Sequence, residues 1–60
     1  MGARERFLKA YANIPLNFRS EAVAMLDGEP VSWQVAYIEI SNNTPKGKKI
    51  LKILEELKII

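Results

Sequence analysis

The residues that could bind an anion are concentrated in one segment, Thr44-Pro45-Lys46-Gly47-Lys48-Lys49, at the start of a predicted helix. Thr44 is a favourable N-cap, and Pro45 suits the first turn, where a missing N–H costs nothing. A helix N-terminus presents unpaired N–H groups and the positive end of the helix dipole, which suit phosphate. The predicted anion or nucleic-acid contacts are Thr44, Lys46, Gly47, Lys48, Lys49 and Lys52.

These lysines oppose the dipole of their own helix, because they crowd its N-terminal end while Glu55-Glu56 lie near the other end. The placement costs roughly 0.3–1 kcal/mol per charge at low salt. Two interpretations stay open: a contact surface for a nucleic-acid backbone, or a solvated face that keeps a small apolar protein in solution. If the first and last helices lie side by side, the patch would extend to Arg4, Arg6, Lys9 and Lys52.

No residue pattern indicates catalysis. The chain has no His and no Cys, which excludes Ser–His and Cys–His nucleophiles and the usual zinc spacings. The phosphate-loop motif requires Gly where Asn42 stands and Ser or Thr where Lys49 stands. We therefore predict that the protein is not an enzyme, that it has no metal or cofactor, and that it has no small-molecule substrate.

Composition sets the scale of the protein. Sixty residues predict one small domain spanning residues 1–60, and the net charge of +2 permits an anionic partner without requiring one. A domain of this size buries only about 60% of the surface its unfolded chain exposes, so additional packing or self-association is expected. The sequence lacks an apolar run of membrane-spanning length and a secretory signal pattern, which predicts a cytoplasmic location without a membrane partner.

The elements that would position these residues begin and end with helices. Arg4 to Asn13 is predicted to be helical and to end before Ile14-Pro15, because the residue before proline is disfavoured in helical geometry. Thr44 to Ile60 is predicted to form the last helix, with apolar residues at three- and four-residue intervals.

Two middle segments are ambiguous. Leu16–Leu26 contains the good helix formers Ala22, Ala24, Met25 and Leu26, which favour a helix, but Ala22–Leu26 could also be a strand that precedes Asp27-Gly28, a strong hairpin signal. Val31–Ser41 begins with strand-like alternation, but as a helix it would have Ser32 as its N-cap. We favour an all-α domain of three to four helices; the alternative is an α+β helix–β-hairpin–helix with strands near 22–26 and 31–40.

Taken as a helix, Val31–Ser41 has two apolar faces, one with Val35 and Ile38 and the other with Trp33 and Tyr37. Such a helix must be covered on both sides, which is difficult in so short a chain. We therefore predict a homodimer. The predicted interface residues are Trp33, Tyr37, Ile40, Leu57, Ile59 and Ile60.

The segment from Val31–Ser41 through Asn42-Asn43 to Thr44–Ile60 loosely resembles the last two helices of winged-helix regulators. The resemblance covers about half the chain, and it departs from the family at Ile40, where a turn glycine is usual. It implies that the lysines would meet DNA phosphates. No Arg, Asn or Gln follows on that helix to contact base edges, so binding would be independent of sequence.

Two functions are consistent with these observations. The first is a non-enzymatic cytoplasmic domain that self-associates and serves as a protein-interaction module. The alternative is weak, sequence-independent nucleic-acid binding through the basic start of the last helix, with a helix-turn-helix-like arrangement.

Overall fold

A computed structural model describes residues 2–60. These residues form helices and a β-hairpin that share one hydrophobic core. The elements are α1 (Ala3–Asn13), a 3-10 turn (Leu16–Phe18), β1 (Ala22–Leu26), β2 (Glu29–Ser32), α2 (Trp33–Ser41) and α3 (Pro45–Glu56). The buried core side chains are Phe7, Ala24, Val31, Ala36, Ile40, Ile50 and Leu54. All three helices and both strands therefore contribute to a single core.

Helix α1 agrees with its sequence prediction. It ends at Asn13 because Ile14 has an extended backbone, with φ −84° and ψ 145°, immediately before Pro15. Arg6 Nη2 lies 3.2 Å from Glu55 Oε2, so α1 and α3 are side by side. The predicted basic patch across both helices required this side-by-side arrangement.

The all-α prediction is wrong for the middle of the chain, where Ala22–Leu26 is a strand and not a helix. Asp27 and Gly28 have φ values of 53° and 82°, as a type I′ turn requires. The register pairs Leu26 with Glu29, Met25 with Pro30 and Ala24 with Val31. Turn chemistry therefore outweighs the helix propensity of Ala22, Ala24, Met25 and Leu26, and the α+β alternative fits the chain.

The second strand, Glu29–Ser32, is shorter than the strand near residues 31–40 that the α+β alternative predicted. It ends at Ser32, and Trp33–Ser41 is helical, so a strand through residue 40 is wrong. The Ser32 side chain accepts a hydrogen bond from the Val35 N–H at 3.1 Å and acts as the predicted N-cap. The Trp33 N–H and the Gln34 N–H, at the start of α2, donate to the carbonyl oxygens of Glu21 and Arg19, respectively, in the segment before β1.

Helix α2 is apolar on two faces, as predicted, but the chain covers the face that we expected to be open. Ala36 and Ile40 are buried, whereas Val35 and Ile38 are 39% and 49% exposed. The stacking of Trp33 on Phe7, with ring centroids 5.9 Å apart, adds to the covered side. The unpartnered apolar face of α2 is therefore that of Val35 and Ile38.

Helix α3 begins at Pro45, as predicted, and ends at Glu56, four residues earlier than expected. The Lys58 N–H donates to the Glu55 carbonyl oxygen, and the Ile59 N–H donates to that of Leu54, both at 3.0 Å. Lys58 has a φ of 58°, so these two bonds form a Schellman motif with a lysine in the left-handed position. This motif stops the helix before the final apolar residues.

Candidate functional site

Thr44, the first predicted anion contact, is engaged within the chain. Its hydroxyl accepts a hydrogen bond from the Gly47 N–H at 2.9 Å and donates to Glu39 Oε1 at 2.6 Å. The Thr44 N–H also donates to the Glu39 carbonyl oxygen at 3.2 Å. The Glu39 carboxylate thus lies at the N-terminal end of α3. Its negative charge interacts favourably with the positive end of the helix dipole and offsets the unfavourable placement of the lysines. This contact, and not a ligand, occupies the Thr44 hydroxyl.

Gly47, the second backbone feature of the predicted site, is buried between helices. A Cβ atom built on Gly47 would lie 2.6 Å from the Glu39 carbonyl carbon and 2.9 Å from the Ile40 nitrogen. These distances are shorter than real Cβ contacts, so only glycine permits α2 and α3 to approach this closely. The need for glycine at this position comes from helix packing.

The four lysines remain as the accessible part of the predicted set. Lys46, Lys48, Lys49 and Lys52 are all exposed, and within residues 2–60 none of them forms an ion pair. The extension onto α1 is reduced, because Arg6 pairs with Glu55 and Arg4 Nη2 donates to the Ser41 carbonyl oxygen at 3.2 Å. The basic surface therefore belongs mainly to α3.

A cleft lies between the hairpin turn and the start of α3, with a volume of about 530 Å³. Apolar side chains and charged side chains line it in equal numbers. The lining residues are Leu26, Asp27, Glu29, Pro30, Val31, Val35, Lys46 and Lys49. Of these residues, only the two lysines were predicted as contacts; the two acids and the apolar lining were not, although Asp27-Gly28 followed by Pro30 marked the turn that carries the acids.

The cleft changes the electrostatic setting of Lys46 and Lys49. Asp27 and Glu29 share it with them, so its formal charges sum to zero. A phosphate placed here would meet two carboxylates as well as two ammonium groups, and like charges oppose binding. Lys48 and Lys52 are outside this cleft, and they remain the lysines best placed for a polyanion.

The predicted dimer-interface residues differ in exposure and fall into four groups. Ile40 is 1% exposed and belongs to the core, so it cannot contact a partner. Trp33 and Ile60 are partly buried against that core. Tyr37 stacks on Tyr11 with a centroid distance of 4.3 Å and keeps part of its surface open. Leu57 and Ile59 are exposed, so the accessible members of the set lie mostly after the end of α3.

A second concave surface, a shallow groove of about 390 Å³, lies between β1 and the C-terminal half of α3. Its lining residues are Ala22, Val23, Ala24, Met25, Ile53 and Leu57. Met25 and Leu57, on its two sides, are 58% and 60% exposed. These lining residues carry no charge, and only Leu57 among them was a predicted interface residue, because a helix was favoured for the segment that contains Met25.

The chain matches no protein-family model, no curated protein and no solved structure. Within residues 2–60, no helix is long and apolar enough to cross a membrane. The same residues hold no cluster of three or more potential metal-ligating acids. The cleft, the groove and the α3 lysines are therefore the candidate functional features of the described residues.

Proposed function

We propose that the chain is a small, non-enzymatic cytoplasmic domain that self-associates and acts as a protein-interaction module. One observation carries the proposal: Met25 and Leu57, two of the most exposed large apolar side chains, line the same groove beside an unpaired strand edge. Exposed apolar side chains grouped in one place, and not scattered singly, are typical of interaction surfaces.

The outer edge of β1 offers backbone groups as well as side chains. In an antiparallel hairpin, hydrogen-bonded and non-hydrogen-bonded pairs alternate, and the pair next to a two-residue turn is hydrogen-bonded. Leu26–Glu29 is that pair, so the next pair, Met25–Pro30, directs its peptide groups away from the hairpin. The missing N–H of Pro30 fits this geometry. Met25 therefore presents an N–H and a C=O at the open edge.

A second copy of the chain is the occupant that fits this edge. Antiparallel pairing of β1 with its own copy is self-complementary, as a twofold interface requires. The strand sequence Ala22–Leu26 contains no charged residue, and charges are a common protection of exposed edges. Two-stranded sheets are marginal in water. Pairing would create a four-stranded sheet and cover Met25 and Leu57 together.

The test is sedimentation of the wild-type chain over a range of micromolar concentrations, with two charge-introducing variants. We expect a dimer for the wild type and a monomer for Met25→Lys, because two lysines would be brought together across the new strand pair. Ile38→Lys is the matched control, since Ile38 is similarly exposed but lies on α2. It should leave the dimer intact.

Two outcomes would contradict the self-association proposal. A 6.8 kDa species throughout the range would exclude the dimer. A dimer that dissociates in Ile38→Lys and persists in Met25→Lys would place the interface on the outer face of α2.

A second candidate function, weak sequence-independent nucleic-acid binding, is favoured by the exposed lysines of α3, which form no ion pair within residues 2–60. Binding through phosphate contacts weakens steeply as salt rises. A salt titration with generic DNA and RNA tests this function, and Lys48→Glu should reduce both affinity and salt dependence. Absence of binding at low salt would exclude it.

A further inference from the structure

We propose that the cleft between the hairpin turn and α3 binds short zwitterionic peptides of apolar residues, two or three residues long. The proposal is independent of self-association, because the cleft and the β1 groove are lined by different residues. It adds a small-molecule ligand class that the sequence did not indicate.

The lining of the cleft suits an apolar ligand body. Leu26, Pro30, Val31 and Val35 contribute the apolar part of its surface. Val31 is buried and fixed within the core, whereas Val35 and Pro30 stay partly or largely exposed and would lose solvent contact under a ligand. A volume of about 530 Å³ falls within the range of about 300–1,000 Å³ that is typical of small-molecule sites.

The charges of the cleft select both ends of such a ligand. Asp27 and Glu29 come from the hairpin, and Lys46 and Lys49 come from the first turns of α3. Within residues 2–60 the one salt bridge joins Arg6 to Glu55, so these acids and lysines lie beyond ion-pair distance of each other. A ligand carrying an ammonium group at one end and a carboxylate at the other would provide each wall with its missing counter-charge.

The orientation of the peptide follows from the same arrangement. Its carboxylate lies between Lys46 and Lys49, on the side of the positive end of the α3 dipole. Its ammonium group lies between Asp27 and Glu29. A simple anion such as phosphate would satisfy the lysines but would be repelled by the two carboxylates, so a zwitterion is preferred over a polyanion.

The experiment is a titration of isotopically labelled protein with the tripeptide Leu-Leu-Leu, followed by backbone amide NMR shifts. We expect saturable shifts centred on Gly28, Val31, Val35 and Lys49, with a Kd on the order of 1 mM, as suits a small and partly open site. N-acetyl-Leu-Leu-Leu and Leu-Leu-Leu-amide should each bind about threefold to tenfold more weakly, because each loses one charged contact.

Two variants connect each wall to one end of the peptide. Glu29→Gln should weaken binding of the free tripeptide about threefold and leave the N-acetylated form unaffected. Lys49→Gln should do the same for the free tripeptide and leave the amidated form unaffected. Lys52→Gln is the matched control, because Lys52 is exposed on the same helix but does not line the cleft. This variant should bind the free tripeptide with the affinity of the wild type.

Several results would overturn the peptide proposal. These are absence of saturable shifts at 10-fold above the expected Kd, shifts centred away from the cleft, or equal binding of free and blocked peptides. Equal effects of Glu29→Gln on the free and acetylated peptides would also overturn the assigned orientation. Because Met25 lies outside the cleft, the Met25→Lys variant should bind the tripeptide like the wild type, which separates failure of this proposal from failure of the dimer.

Discussion

The two ends of α3 contrast in how completely the chain covers them. At the first end, Gly47 lies against the backbone of α2, and Thr44 is hydrogen-bonded to Glu39 and to the Gly47 N–H. At the other end, Leu57 is largely exposed, and Lys58 adopts a left-handed conformation that favours glycine. The first end is built into the fold, whereas the second leaves apolar surface beside β1.

This contrast separates residues that looked functional from surfaces that remain accessible. Thr44 and Gly47 have residue types typical of phosphate contacts. In the fold, however, the Thr44 hydroxyl is hydrogen-bonded to Glu39 of α2, and Gly47 lies so close to the α2 backbone that only glycine fits there. Met25 and Leu57 have ordinary apolar side chains, and they line an open groove. In this chain, the glycine and the threonine at the start of α3 are required by a close contact between helices, whereas the exposed apolar side chains indicate the proposed interaction surface.

The largest expected effect concerns the closed end. Gly47→Ala should destabilise the fold by about 2 kcal/mol, because the new methyl group meets the backbone of Glu39 and Ile40 and outweighs the better helix propensity of alanine. The midpoint of thermal unfolding, followed by circular dichroism, should fall by about 10 °C.

Lys48→Ala is the control for the glycine substitution, because it places alanine at the adjacent, exposed position of the same helix. Its unfolding midpoint should change little. An unchanged or higher midpoint for Gly47→Ala would show that α2 and α3 are not held at the distance described, and the contrast between the two ends would then disappear.

A smaller effect is expected from the hydroxyl at the same end. Thr44→Val keeps the shape of the side chain but removes the N-cap to Gly47 and the hydrogen bond to Glu39. The loss should be about 1–2 kcal/mol, measured by urea unfolding. Thr44→Ser keeps the hydroxyl and both bonds and lacks only the methyl group, so it should lose much less; an equal loss in the two variants would contradict a dominant role for the hydroxyl contacts.

Local chemistry accounts for the parts of the fold that the sequence predicted. Ile14-Pro15 ends α1, Ser32 caps α2, and Thr44-Pro45 starts α3, each through contacts within a few residues. The hairpin was available from the same kind of signal, because Asp27-Gly28 is typical of a type I′ turn. The helix propensity of Ala, Met and Leu was given too much weight against it.

The rest depended on contacts between distant segments. The sequence showed two apolar faces on α2, but packing with buried residues of α1, α3 and the hairpin decides that Ala36 and Ile40 are the covered side. It showed three lysines in one segment, but not that the turn carries Asp27 and Glu29 into the same cleft. It suggested an approachable backbone at Gly47, whereas the backbone of Glu39, in α2, lies against this residue. The candidate lysines were therefore predictable, and their surroundings were not.

The smallest expected effect has the opposite sign and concerns the open end. Lys58 has a φ of 58°, where a side chain with a Cβ is strained, and two hydrogen bonds of the Schellman motif hold it there. Lys58→Gly should remove this strain and stabilise the fold by about 0.5–1 kcal/mol, after the greater flexibility of the unfolded glycine is included. Urea unfolding measures the difference.

Lys58→Ala separates backbone strain from charge, because alanine removes the ammonium group but keeps the Cβ atom. It should give no stabilisation, since its left-handed conformation is strained like that of lysine. If alanine stabilised the chain as much as glycine, the gain would come from the lost charge or side chain and not from the backbone. A gain confined to glycine would establish that the open end of α3 is held in a strained conformation, unlike the end that Thr44 and Gly47 hold against α2.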